Sequence, residues 1–443
     1  MKITSKRRQI EIAGSAIEIA RTEHGVIKLW ADGDLGLARG LGFAHAQDRL
    51  VQMLLVRLVG QGRLCECLVN DNDALQIDIF MREMGLARYA KVEALNTVEE
   101  ARALGDAYAE GVNYWLATNR RPIELLMVRY DPEWWTIADT ILTIKLMAYI
   151  GLAQSQQDME KFLIQALRDG VPSERLAALT SPHLDGLADS TVELIKKLNY
   201  VQPLLPEAVR FLGIAPTVMA SNNWAVAGSR TKSGNPLQCN DPHLECNRLP
   251  AIWYESVMHT ADDYRIGATM PGVPGLVMGR TRNLSYGFTY GFMDMVDYFV
   301  EQCEDGRVRR EDDFVPIKAR TETIDRKGGS PVEITIRETD LGVLECDSRN
   351  PDLDNGFFLS RAWTAHKTGG TASLAAMVEL PKATTVREAQ KIARHVAISC
   401  NWLFADRAGN IGYQQSGLAP IRTHSGLFPV PAWEERWRWE GCV

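Results

Sequence analysis

A chain of 443 residues is long enough to bury a core of two or three layers. Apolar residues make up 46% and charged residues 24%, the balance of an ordinary globular protein. A net charge of −7 argues against a nucleic acid or an anionic membrane as partner, because both favour a basic face. No window approaches the roughly 18 apolar residues of a membrane span. The opening residues Met1 to Arg8 are basic, but 9–20 keep interposing Glu, Gln and Ser where an export signal needs an apolar run, so a cytoplasmic protein is expected. Eight cysteines lie without metal-ligand spacing, Cys65 and Cys67 being the only close pair, and read as free thiols.

Residues 9–30 alternate through Ile10, Ile12, Ile17, Ile19, Ile27 and Leu29 with Gly14 and Gly25 as turns, which predicts short strands. Residues 35–58 carry Leu35, Ala38, Leu50, Met53, Leu54 and Leu58 at helical spacing. Gly40-Leu41-Gly42 inside that helix is no dinucleotide loop, since no phosphate-binding turn precedes it. His45 and Asp48 invite a catalytic reading, but buried polar anchors are the favoured one. Residues 77–195 read as mainly helical, with periodicity through 101–116 and 140–152 and a loop at 180–189.

The stretch 219–244 reads as a hairpin. A strand over 223–228 carries Trp224 and Val226 on one face, 231–236 is a turn cluster with Gly234, and a second strand over 237–240 stops at Asp241-Pro242. Folding back near 232–234 brings the Ser221 hydroxyl and the His243 imidazole side by side. Downstream, 283–292 places Leu284, Tyr286, Phe288, Tyr290 and Phe292 on one strand face, and 308–345 is strand-rich. Thr385 and Glu388 form a capping box for a helix with Val386, Ala389, Ile392, Ala393 and Val396 inward.

Ser221 follows the small Ala220. If the chain were cut between them, Ser221 would own an α-amine of pKa about 7.7–8, available as a base near neutrality. A serine hydroxyl needs such a base to become a useful nucleophile. The alternative is a serine that merely begins a strand. No Gly-x-Ser-x-Gly elbow and no His-Glu-x-x-His pair occurs, so a triad hydrolase of the α/β type and a zinc peptidase are both disfavoured.

Four segments share a further property. They are Ser221-Asn-Asn-Trp-Ala-Val-Ala-Gly through Cys239-Asn-Asp-Pro-His-Leu; Arg21-Thr-Glu-His-Gly-Val with 41–50 and 60–64; 130–139 with 145–148; and 401–413 with 429–433. In this order they resemble the penicillin acylase family of N-terminal nucleophile hydrolases over nearly the whole chain. The resemblance implies an α+β fold, a four-layer αββα sandwich with a helical α-chain region. It divides the chain into an α-chain-like 1–200, a spacer 201–220 rich in proline, and 221–443 as the N-terminal part of the β-chain. The family's later β-chain, with its oxyanion asparagine, is expected beyond Val443, so the fold is expected to be C-terminally truncated.

The implied activity is hydrolysis of the amide of an N-acyl substrate, a β-lactam antibiotic or an N-acyl homoserine lactone among the candidates. It proceeds through an acyl-enzyme on Ser221 after autoproteolysis at Ala220–Ser221, which leaves an α/β heterodimer of cleavage products. Tyr290 matches the backbone N–H donor to the oxyanion, and His243 a residue that contributes a backbone N–H beside the nucleophile. Read without the family, His243 is a turn residue and Tyr290 a core aromatic. The acyl pocket maps to Met147, Gly151, Leu244 and Met278, with Gly151 where a bulky aromatic often sits. A structural Ca²⁺ is implied at Asp294, Val296 and Asp297, with Pro420 offering a further carbonyl, Gln157 standing where a glutamate is expected and a later aspartate expected beyond Val443; the alternative for Asp294 and Asp297 is a solvated loop. A second reading of the whole chain is a family scaffold or partner chain without catalysis.

Overall fold

The computed structural model describes residues 7–179, 187–202, 221–244 and 251–443. The expected spacer from 203 onward, Ala220, and 180–186 of the expected loop lie outside the described residues. The N-terminal alternation becomes three antiparallel strands, β1 (Arg8–Ile12), β2 (Ser15–Arg21) and β3 (Ile27–Ala31). Their buried Ile10, Ile17, Ile19 and Leu29 share one hydrophobic cluster with Leu37, Leu41 and Ala44 of α1 (Asp34–Gln61). A Cβ on Gly42 would sit 2.1 Å from the Tyr108 carbonyl oxygen, and one on Gly111 would sit 2.0 Å from that of Arg39. The glycines inside these helices therefore let α1 and helix Glu99–Thr118 cross backbone to backbone.

His45 of α1 is fully buried, with Tyr108 Oη 2.8 Å from Nδ1 and Thr269 Oγ1 2.9 Å from Nε2. The Thr269 hydroxyl donates to the Tyr254 carbonyl, so it accepts from His45; the imidazole carries its proton on Nε2 and accepts from Tyr108. Burial, and then the charge of Arg49, lower its pKa to about 3. His45 is a neutral anchor. Asp48 is an anchor too, held by both oxygens to Arg21 Nη2 at 2.8 and 2.7 Å and by the Tyr254 hydroxyl at 2.6 Å.

Helix Ile137–Ala148 opens on a capping box of Thr136 and Asp139. The helix expected to continue to residue 152 instead widens into a π-helical turn, Tyr149–Ala153, before resuming as Gln154–Arg168. Apolar periodicity cannot separate the two, since both keep one face inward. Later, Thr385 and Glu388 cap helix Val386–Ala393 as the sequence predicts, with Val386, Ala389 and Ala393 buried.

Two strands, β4 (Ser221–Val226) and β5 (Leu237–Pro242), pair only with each other among the described residues. The next four are β6 (Tyr254–His259), β7 (Tyr264–Thr269), β8 (Met278–Arg280) and β9 (Leu284–Tyr290). Among the described residues, a nine-stranded sheet runs β1-β2-β3-β6-β7-β8-β9, then Cys400–Asp406 and Ile411–Ser416. Its only parallel joint is β3 to β6, with Ile27 opposite Ser256. Among the described residues an eight-stranded sheet is built around β10 (Val296–Glu304) and its antiparallel neighbour Gly356–Trp363, against helices Asn72–Met84 and Gln154–Arg168.

Three strands differ from expectation at their ends. β4 covers Ser221–Val226, two residues ahead of the expected 223–228, because Gly228 already belongs to the turn. β9 stops at Tyr290, and Phe292 takes a left-handed φ of 47° and is exposed, so the alternation persists in the sequence after the strand has ended. β5 continues through Asp241-Pro242, because a proline at the last rung needs only to present its carbonyl. The seven cysteines among the described residues are free thiols. Among them no helix is long and apolar enough to cross a membrane.

Candidate active site

The hairpin is amphipathic in an unusual sense: Asn223, Gln238 and Asn240 are partly buried, whereas Trp224 and Leu237 are exposed at 51% and 59%. It docks by amides. Asn240 Oδ1 accepts from the Phe288 N–H at 2.7 Å, and Asn240 Nδ2 donates to the Phe288 carbonyl at 3.1 Å and to the Asn222 carbonyl at 3.3 Å. Gln238 Nε2 donates to Asn223 Oδ1 at 3.0 Å, and its Oε1 accepts from the Ser285 hydroxyl at 2.9 Å. A Cβ on Gly287 would lie 2.1 Å from Asn240 Oδ1, so glycine is what admits this approach.

At the hairpin's open end Ser221 pairs with Pro242, and the His243 N–H donates to Ser221 Oγ at 3.2 Å. The hairpin brings Ser221 and His243 together as expected, but the hydroxyl meets the His243 backbone and not its imidazole. The imidazole turns to Asp241 Oδ2 at 3.0 Å and Asn222 Nδ2 at 3.2 Å. In the intact chain the Ser221 nitrogen is an amide and supplies no base.

Tyr290 ends β9 opposite Cys400. The Gly291 N–H donates to the Ser399 carbonyl at 2.9 Å, and strand N–H groups alternate between the two edges. The Tyr290 N–H thus points to the opposite edge, the one on which the Phe288 N–H is held by Asn240. β8 pairs there only with Ser285 and Tyr286, so its ladder ends well before Tyr290. Burial pushes the Tyr290 phenol far above its ordinary pKa, so the side chain is a packing group.

The four residues assigned to an acyl pocket come from three segments. Met147 lies buried on helix Ile137–Ala148 and Gly151 in the π turn after it; Leu244 follows His243, half-buried; Met278 opens β8, buried. Beside the π turn a cavity of about 230 Å³ is lined by Ser155, Gln156, Met159, Glu160, Phe292, Asp294 and Leu427. Gln156 braces the loop after β9, donating to the Phe292 carbonyl at 3.2 Å and to that of Met293, and accepting from the Met295 N–H at 3.0 Å. Sequence reasoning missed Gln156 and Asn240, whose partners are remote in the chain, although Asn240 stands inside the recognised run.

Each of the five residues assigned to calcium has a protein partner. Asp297 gives one oxygen to Arg422 and the other to Trp439 Nε1 at 2.6 Å, and Asp294 Oδ2 takes Arg422 Nη2 at 2.5 Å. Gln157 Oε1 accepts from the Tyr149 hydroxyl at 2.5 Å, Val296 lies in the β10 ladder opposite Trp363, and Pro420 pairs with Cys442. Among the described residues no three His, Cys, Asp or Glu side chains are arranged to hold a metal. The guanidinium of Arg422 bridges Asp294 and Asp297. Burial still raises both aspartates, with Arg422 opposing it, and burial followed by the two aspartates pushes the enclosed Glu160 carboxyl well up.

A family model described as penicillin amidase matches residues 16–443. An acyl-homoserine lactone acylase, QuiP, of Pseudomonas aeruginosa is 32% identical over 429 residues, covering 90% of this chain and 49% of that relative. The penicillin acylase 2 proenzyme of a Pseudomonas species is 31% identical over 448 residues, with 96% and 56% covered. A thermostable penicillin G acylase structure from Alcaligenes faecalis matches 50% of this chain and 40% of its own at 25% identity, with a TM-score of 0.44. The chain spans about half the length of the curated relatives it matches.

Proposed function

The chain belongs to the penicillin amidase family, and from that premise we propose that it carries the nucleophile of an N-terminal serine amidohydrolase acting on N-acyl substrates. The observation that carries this reading is the 3.2 Å contact between the His243 N–H and Ser221 Oγ at the mouth of a hairpin docked on β9. Cleavage of Ala220–Ser221 releases the α-amine of Ser221. That amine takes the hydroxyl proton as Oγ adds to the acyl carbonyl, and the Tyr290 N–H stabilises the negative charge on the carbonyl oxygen. Collapse expels the amine product with the proton, leaving an ester on Ser221, and water repeats the cycle to release the acid. The names of the relatives point to N-acyl homoserine lactones and penicillins as the substrates to try.

On this reading 1–200 becomes one piece of a heterodimer, 201–220 a spacer, and 221–443 the start of the second piece, within a four-layer αββα whole. The cationic role that calcium fills in the resemblance falls to Arg422, and no step passes through a metal. Intact-mass measurement with N-terminal sequencing tests the reading. A fragment beginning Ser-Asn-Asn-Trp is expected, and Ser221→Ala should leave the chain uncut. Cutting that persists in Ser221→Ala, or an uncut wild type without amidase activity, would overturn it; the second outcome favours a scaffold without catalysis.

A further inference from the structure

We infer that Asn240 is a positioning residue that sets the distance between the nucleophile and the oxyanion donor. The inference rests on the roles just proposed for Ser221 and Tyr290. The hairpin and β9 share no strand pairing, so no backbone ladder fixes one against the other. A side-chain amide does. Asn240 occupies both the N–H and the carbonyl of Phe288, the pair of bonds that a neighbouring strand would have made, and its Nδ2 also reaches the Asn222 carbonyl within the hairpin.

The register makes this clamp local to the chemistry. Two residues along β5 from Asn240 stands Pro242, opposite Ser221; two residues along β9 from Phe288 stands Tyr290. The Tyr290 N–H points to the same edge as the clamped Phe288 N–H. Tyr290 is therefore one strand repeat, about 7 Å, from the clamp, and Ser221 lies directly across the ladder from Pro242, which stands at the same remove on β5. Gly287 is the clamp's second half, since a Cβ there would stand 2.1 Å from Asn240 Oδ1 and 2.7 Å from Asn240 Cγ.

Three variants test this: Asn240→Ala, which removes the clamp; Asn240→Asp, which sets a carboxylate oxygen against the Phe288 carbonyl; and Gly287→Ala, which expels the amide. The probe is N-octanoyl homoserine lactone, read by release of the lactone amine, beside the rate at which the Ser221-led fragment forms. Because misplacement of a reacting group by about 1 Å can cost about 100-fold, a fall of about that size in kcat or in the self-cleavage rate is expected, with KM held. The double variant Asn240→Ala/Gly287→Ala should be no slower than either single one, because both remove the same contact. A merely structural role would lower KM performance and thermal stability together and let the two losses multiply. A wild-type kcat and cleavage rate in Asn240→Ala, or in Asn240→Asp should the first not fold, overturns the clamp. A wild type that neither cleaves itself nor releases amine overturns the proposed function and this inference with it.

Discussion

Lys145 is a lysine buried to 2% exposure, and the way it is satisfied fixes what its loss should cost. Its ammonium donates to Glu93 Oε1 at 2.6 Å and to the carbonyls of Ala365 and Thr368 at 3.0 and 3.1 Å. The other Glu93 oxygen accepts from the Thr371 N–H at 2.9 Å. One cation thus joins helix Leu86–Leu95, helix Ile137–Ala148 and the entry to helix Gly370–Glu379. Lys145→Met keeps most of the volume and strands the Glu93 carboxylate. Breaking a buried pair from one side costs about 3–5 kcal/mol, a large part of the roughly 5–15 kcal/mol that holds a typical domain together. Glu93→Gln in the same background keeps an acceptor for Thr371 and removes the orphan charge, so it should recover roughly 1–3 kcal/mol. Urea denaturation of the wild type, both single variants and the double variant measures this. If Glu93→Gln deepens the loss caused by Lys145→Met, the stranded charge is not its origin and the reasoning fails.

Two further expectations follow from other buried groups. His45 is neutral in the fold with a pKa of about 3 and protonates near 6.5 when unfolded, so below pH 6.5 the unfolded state binds the extra proton and stability falls toward pH 3. One such group contributes a slope of about 1.36 kcal/mol per pH unit, and His45→Gln should flatten the acid limb of the stability profile; parallel profiles would refute the assignment. At the Asp294–Asp297 pair, Arg422→Ala should destabilise by about 3–5 kcal/mol, with added calcium restoring part of the loss. The wild-type melting temperature should ignore both chelator and calcium, and a drop on chelation would show that a metal, not Arg422, holds the pair.

What the sequence makes legible here is local. The hairpin follows from period-2 apolar residues around Gly234, and the Thr385 cap from its own four-residue pattern. His45 as an anchor follows from its place on an apolar helix face. The proximity of Ser221 and His243 follows from hairpin geometry, although that geometry alone suggests the imidazole rather than the backbone N–H as the contact. What stays hidden depends on distant partners. Asn240 finds Phe288 across 48 residues and Arg422 finds Asp297 across 125, so neither amide nor guanidinium announces its role. The π turn over Gly151 escapes notice because one inserted residue barely disturbs an apolar stripe. β9 is overextended by the same logic, since Phe292 keeps the alternation while its left-handed backbone ends the strand.

The parallel joint of β3 with β6 carries a consequence for any two-piece form of this molecule. β3 precedes the bond between residues 220 and 221, and β6 follows it, yet the two are neighbours inside one continuous sheet. A seam opened at that bond therefore does not run along a surface; it runs between two interior strands whose hydrogen bonds span it. Each piece alone would end in a raw strand edge, an invitation to wrong partners. Halves of that kind would have to be made as halves of one folded object, joined first and parted afterwards. Mixing them from separate preparations asks each to wait with its edge bare.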